Sequence, residues 1–254
     1  LLLMITLMIT VLSGCRKEEI EPEVVLPGSG KIIGLAMPTQ HSQRWINDCE
    51  NMKIRLEELG YLVQDQFAEN DVNRQISQIE GFIEQGVDCL VVAAVDSYAL
   101  GNVLKKAKEA GIPVIAYDRL LMDTDAILYY ATFDNKMVGT IIANEIIDQA
   151  DLNEVRKAGD YRTIEFFMGS PDDNNAYMFY TGLMEVLRPY MDDGTLVCKS
   201  GKFTFNETAI IRWSEEMAAE KCARLLETHY KDEDLDICAS VFDGFAYGCK
   251  TALE

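Results

Sequence analysis

The chain has 254 residues, 48% hydrophobic and 26% charged, which argues against a disordered chain and suffices for one large domain or two of ordinary size. With 42 acidic against 23 basic residues the formal net charge is −19, which argues against nucleic acid as a partner because its phosphates would be repelled. Two histidines, His41 and His229, lie far apart, so a histidine-dependent catalytic triad is not expected.

Residues 1–15, "LLLMITLMITVLSGC", form an apolar run of about fourteen residues, short for a membrane span, ending in small residues and a cysteine. This resembles a lipoprotein signal peptide with Leu12-Ser13-Gly14-Cys15 as its lipobox, so Cys15 is expected to carry the lipid. Residues 16–30, charged and holding Pro and Gly, read as a tether.

From Lys31 onward strands and helices alternate. "KIIGLAMP" is a strand, and "RWINDCENMKIRLEELG" a helix with Trp45, Cys49, Met52, Leu56 and Leu59 in phase and Gly60 as its stop. "YLVQDQFA" is a strand. "DVNRQISQIEGFIEQG" is a helix with Val72, Ile76, Ile79 and Ile83 on one face. "VDCLVVAAV" is apolar throughout, as a central parallel strand should be. "SYALGNVLKKAKEAG" is a helix, then "PVIAYD" and "ILYYATF" are strands. A helix over 135–150 is followed by strand "TIEFFMG", a helix over 174–191, strand "TLVCKSGKF", a helix over 214–230, strand "LDICASVF" and a final helix from "FAYGCKTALE". The pattern predicts an α/β fold of right-handed βαβ units with about nine parallel strands, divided near Asp134 into a first lobe over 31–134 and a second over 135–254.

No Gly-x-Gly-x-x-Gly follows the first strand, so no dinucleotide cofactor is expected. Cys49, Cys89, Cys198, Cys222, Cys238 and Cys249 form no CxxC motif; Cys89 and Cys238 read as small hydrophobes inside strands, and neither a required disulfide nor a metal site is expected.

In open α/β sheets ligands bind outside the carboxyl ends of the strands. The polar residues and tryptophans falling there are Arg44 and Trp45, Asp96, Asp118 and Arg119, Asp173, Asn174 and Asn175, Arg212 and Trp213, and Asp243. Each has a bland reading: Arg-Trp as surface plus core, Asp-Arg as a local salt bridge, "DDNN" as a helix cap. Together they suit a neutral polyhydroxyl ligand. Carboxylates accept, arginine donates, asparagine does both, and indoles cover C–H faces. A sugar phosphate would ask for glycine-rich loops and excess positive charge. Asp118 and Asp173 as a glycosidase carboxylate pair is the alternative by composition.

The segments "GLAMPTQHSQRW", "QISQIEGFIEQGVDCLVV", "VIAYDRL", "YYATFDN", "GSPDDNNA", "VLRPYMDDG" and "FDG" closely resemble the xylose-binding and multiple-sugar-binding periplasmic proteins of ABC transporters, which are type I periplasmic binding proteins related to ribose and galactose binders. The resemblance implies two Rossmann-like lobes around a hinged cleft, a non-enzymatic protein without cofactors, and capture of a xylose-, glucose- or galactose-type monosaccharide. It implies delivery to an ABC permease or, alternatively, presentation to a membrane receptor such as a chemoreceptor or sensor kinase. The place is extracytoplasmic, at a membrane held through the lipid. A repressor effector domain shares the fold, but the lipobox and the lack of a basic helix-turn-helix speak against it. By the resemblance, Arg44, Trp45, Asp118, Arg119, Asp173, Asn175 and Trp213 match sugar contacts. Asp243 falls in the motif where other members carry Asn-Asp, but Phe242 stands in place of the Asn. The resemblance also implies further chain beyond Glu254, with additional sugar contacts, so the second lobe is expected to be incomplete.

Overall fold

A computed structural model of the chain describes residues 26–254; Cys15 and its apolar run lie outside the described residues. The first sheet is built from β1 (Ile32–Met37), β2 (Leu62–Phe67), β3 (Cys89–Val92), β4 (Val114–Tyr117) and β5 (Ile127–Ala131). All its pairings are parallel, in the order β2-β1-β3-β4-β5. Helices α1 (Gln43–Glu58), α2 (Val72–Gln85) and α3 (Gly101–Glu109) cover its two faces. Alternation along β1 serves both: Ile33, Leu35 and Met37 pack with Trp45 and Cys49 of α1, while Ala36 joins Ile79, Phe82, Val103 and Leu104 of α2 and α3. Edge strand β2 is partly exposed where central β1 and β3 are almost wholly buried.

The chain enters the second half at Asp134, whose side chain accepts from the Met137 amide and caps α4 (Asn135–Gln149). Then come α5 (Leu152–Ala158), β6 (Arg162–Phe167), α6 (Asn174–Asp192), β7 (Leu196–Val197), α7 (Phe205–Thr208), a 3-10 turn over Ile211–Trp213, α8 (Glu215–His229), β8 (Ile237–Ser240) and α9 (Asp243–Leu253). The second sheet is also parallel, in the order β7-β6-β8. Its faces are filled by α4 and α6 on one side and by α8 and α9 on the other.

Three expectations change. There are eight strands among the described residues, not about nine. The strand predicted over 195–203 pairs only at Leu196–Val197. Beyond it the chain leaves the ladder to satisfy the buried Glu165 carboxylate, which accepts from the Ser200 amide at 3.0 Å and hydroxyl at 2.7 Å. The buried face of α2 is Gln75, Ile79 and Phe82, one position away from the predicted stripe, because Gln75 is recruited to the sheet.

Helices α4 and α6 cross backbone to backbone. A Cβ on Gly139 would overlap the Phe179 carbonyl, and one on Gly182 the Lys136 carbonyl. This crossing fixes the amino ends of both helices, Asn135 and Asn174–Asn175, on one side of the lobe. Gly139→Val is therefore expected to destabilise the protein by about 2–4 kcal/mol, since the clash is with main chain rather than a pliable side chain. A urea midpoint unchanged from the parent would contradict this packing.

Candidate functional site

The first sheet reverses its winding between β1 and β3, the topological switch point where α/β sheets open a crevice. Gln75, fully buried, holds that point together. Its Nε2 donates to the Ala93 carbonyl at 2.8 Å, and its Oε1 accepts from the Val95 amide at 2.8 Å. The neighbouring carbonyls of Ala94 and Val95 are left facing Arg119, whose NH1 donates to them at 2.8 and 3.2 Å.

Arg119 is aimed there by an unusual turn. Asp118, directly after β4, has φ 61°, and the Arg119 amide donates back to the Tyr117 carbonyl at 2.7 Å. A non-glycine residue at the centre of such a three-residue turn is strained. The surroundings hold it there: the Asp118 carbonyl accepts from Asn175 Nδ2 at 2.9 Å, Thr132 Oγ1 at 2.9 Å and Tyr130 Oη at 3.0 Å. Its carboxylate pairs with Arg44 from the first turn of α1 and lies 3.3 Å from Asn175 Nδ2.

The second lobe meets this turn with the loop after β6. Asp173 caps α6 by accepting from the Asn175 amide at 2.9 Å, and its other oxygen lies 2.9 Å from Arg119 Nε. Cap and ion pair are thus the same carboxylate. Asn175 reaches Asp118, and Asn135 Nδ2 donates to Asn175 Oδ1 at 3.0 Å. Next to them the Ser97 amide donates to the Asp172 carbonyl at 2.9 Å, while the Asp172 carboxylate pairs with Arg212 at 3.3 Å.

The structure therefore brings Arg44, Asp118, Arg119, Asp173 and Asn175 into one polar group drawn from both lobes. Trp45 is buried in the first-lobe core, and Arg44 and Arg119 lie over its ring at 4.5 and 5.4 Å. Helical phase placed it in the core, and the packing agrees. Trp213 is half-buried: it stacks on Phe245 at 5.7 Å, has Phe179 and Phe242 edge-on, and lies over Gly169. Its indole nitrogen is buried without a hydrogen-bond partner among the described residues. Asp96 is not part of the group's bonding: its carboxylate accepts from the Tyr98 amide at 2.8 Å in a local turn. Asp243 is exposed in the first turn of α9, with no side-chain partner among the described residues. A surface hollow of about 570 Å³ between Tyr98–Lys105 and Asp123–Asp125 lies apart from these residues.

Sequence reading missed Gln75, Tyr130, Thr132 and Asn135. The last three lie in "YYATFDN", at the carboxyl end of β5 and the start of α4, where the strand-end rule would have found them.

Two carboxylates and two guanidinium groups balance within the group. Burial raises the pKa of Asp173, against the lowering effect of Arg119 and of the Asn175 amide. The Arg44 pKa is depressed by burial but raised on balance by Asp118 and Asp48. Both carboxylates are held as acceptors, Asp118 from Arg44 and Asn175 and Asp173 from the Asn175 amide.

The chain belongs to the periplasmic binding protein domain family, whose model matches residues 33–254. It is 43% identical over 222 residues to the multiple sugar-binding periplasmic receptor ChvE of Rhizobium radiobacter, covering 87% of this chain and 62% of that protein. With the D-xylose-binding periplasmic protein of Escherichia coli K12 it shares 41% over 165 residues, 65% of this chain and 47% of the other. It superposes with a TM-score of 0.85 and 45% identity on an ABC transporter solute binding protein of Clostridium phytofermentans with bound β-D-glucose, covering 88% of this chain and 68% of that one. The chain spans about three fifths of the length of the first two curated relatives it matches. Its α/β lobes are those of a type I periplasmic binding protein.

Because the folded-state pKa of Asp173 lies above its unfolded value, the native state binds more protons there than the unfolded state, and this group's contribution to stability falls as pH rises above about 4. Urea unfolding of the parent and of Asp173→Asn across pH 4–7 should show the parent losing ground with rising pH relative to the variant. A flat difference would mean that Arg119 fully compensates the burial.

Proposed function

We propose that this chain is the sugar-receiving part of a lipid-anchored solute-binding protein, which captures a neutral aldose of the xylose, glucose or galactose type between its lobes and hands it to an ABC permease. One observation carries the reading: Arg44, Asp118, Arg119, Asp173 and Asn175, from separate elements of both lobes, converge on a strained turn at a switch point. A hydroxyl donates and accepts at once, so carboxylates, amides and guanidinium groups in balance suit it. An anionic ligand would face two carboxylates with no surplus of positive charge. The unpartnered indole N–H of Trp213 offers one more donor to a hydroxyl or ring oxygen. The ligands of its relatives, multiple sugars, D-xylose and β-D-glucose, are in line with this class of ligand. No glycoside turnover is expected.

The decisive variant is Asp118→Gly. Glycine accepts positive φ at no steric cost and keeps the backbone carbonyl, so the turn survives while the carboxylate is lost. Removing a charged hydrogen-bond partner weakens binding by about 1.5–3 kcal/mol, roughly 10- to 150-fold. Calorimetry with D-xylose and D-glucose on the whole protein should show that loss with little change in the thermal midpoint. Full affinity in the variant would reduce the Arg44–Asp118 pair to a structural salt bridge.

The anchoring part of the proposal rests on Leu12-Ser13-Gly14-Cys15. Among the described residues no helix is long and apolar enough to cross a membrane. One acyl chain holds a protein only marginally, so Cys15 is expected to carry two or more as the first mature residue. Mass spectrometry of the mature amino terminus checks this, and an unmodified Cys15 would remove the anchor from the proposal.

A further inference from the structure

Three cysteines without any motif in the sequence come together in the second lobe. Cys222 lies on α8, Cys238 on β8 and Cys249 on α9, and their sulfurs all lie within 4.8 Å of one another. Cys238, which reads in the sequence as a small hydrophobe inside a strand, stands beside Cys222 and Cys249, because topology rather than spacing gathers them. Helices α8 and α9 approach so closely that a Cβ on Gly248 would stand 2.8 Å from the Glu215 carbonyl and 3.1 Å from the Ala219 amide. Cys222 and Cys249 are fully enclosed among Phe167, Ile210, Ala218, Leu225 and Phe245. Cys238, on edge strand β8, stays half-buried and leaves an approach to the trio.

We propose that Cys222, Cys238 and Cys249 form a three-thiolate site for a soft d10 ion, monovalent copper. Metal–thiolate bonds of about 2.3 Å set the sulfurs of a trigonal site about 4 Å apart, within the observed limit. Thiolates select soft ions. No histidine or carboxylate of the described residues joins the trio at that range, so the four-ligand shell that structural zinc requires is not available. Binding replaces the sulfur-bound protons, which leave to solvent, and involves no change of oxidation state. The site is separate from the polar group at Asp118 and does not depend on sugar binding. It is connected to the second lobe's aromatic stack, since Cys249 lies one helical turn from Phe245, whose ring stacks on Trp213.

The test is anaerobic titration of the reduced protein with Cu(I) against a chromophoric chelator, with X-ray absorption on the loaded sample. The expected result is one copper per chain with three sulfur neighbours near 2.3 Å. Cys238→Ala, the variant least able to disturb the core, should weaken retention at least tenfold, while Cys89→Ala in the first lobe leaves it unchanged. Cys222→Ser and Cys249→Ser should behave as Cys238→Ala does if they fold. Copper held equally by Cys238→Ala, coordination by two sulfurs only, or tighter retention of Zn(II) than of Cu(I) would each overturn the proposal.

Discussion

The backbone carbonyl of Asp118 is the point on which the site depends. Three side chains donate to it: Tyr130 and Thr132 from the end of β5, and Asn175 from the amino end of α6. A carbonyl so surrounded cannot swing away, and this keeps a non-glycine residue at positive φ. Without the turn Arg119 would not point back at the Ala94 and Val95 carbonyls beyond β3, and the carboxylate would not face Arg44. The same carbonyl joins the lobes. Opening the cleft must break the Asn175–Asp118 hydrogen bond and the Arg119–Asp173 pair together.

These cross-lobe contacts are polar, and that sets their energetic scale. Each exchanges a bond to water for a bond to protein, so its net worth is only about 0.5–1.5 kcal/mol between neutral groups and about 1.5–3 kcal/mol where a charge takes part. A ligand with several hydroxyls can take over such contacts one by one without an apolar interface having to be torn open. The apolar area stays within each lobe, in cores that do not change partners. The balance of charge matters as much. In a chain of net charge −19, a group with two arginines against two carboxylates forms a neutral island. Asp118, Arg119 and Asp173 are buried while Arg44 stays exposed, and the raised pKa of Asp173 reflects the burial penalty directly.

How far the sequence foretold this follows from where each signal comes from. Parallel strands buried on both faces read plainly as apolar runs, so β1, β3 and β6 were legible, and with them the rim on which Asp118, Arg119, Asp173 and Asn175 stand. Gln75 was not legible, because a glutamine in an apolar helical face looks like a break in the pattern until the sheet carbonyls it bridges are known. The early end of β7 depended on Glu165, a charge whose burial no local signal declares. Trp213 lacks helical phase, and its place against Phe245 arises only when α9 packs on α8. The thiol trio is invisible for the same reason: its residues come from two helices and a strand, and glycine at 248 brings the helices together.

Conformational change and binding also share atoms. The second lobe is stiff: α4 and α6 touch main chain to main chain at Gly139 and Gly182, and α8 meets α9 at Gly248, so neither pair can slide without clashing. Motion between lobes must therefore be absorbed in segments that join them, and one is the stretch from Ala131 to Asp134 between β5 and α4. That stretch is not a bystander. Thr132 donates to the Asp118 carbonyl and accepts from Asn135, which in turn holds Asn175. Any ligand that displaces Asn175 from Asp118 thus acts on a residue hydrogen-bonded to Asn135 and through it to the segment that joins β5 to α4. The contacts of the Asp118 turn and those of the segment joining β5 to α4 are thus one hydrogen-bond network, carried by the four residues Asp118, Thr132, Asn135 and Asn175.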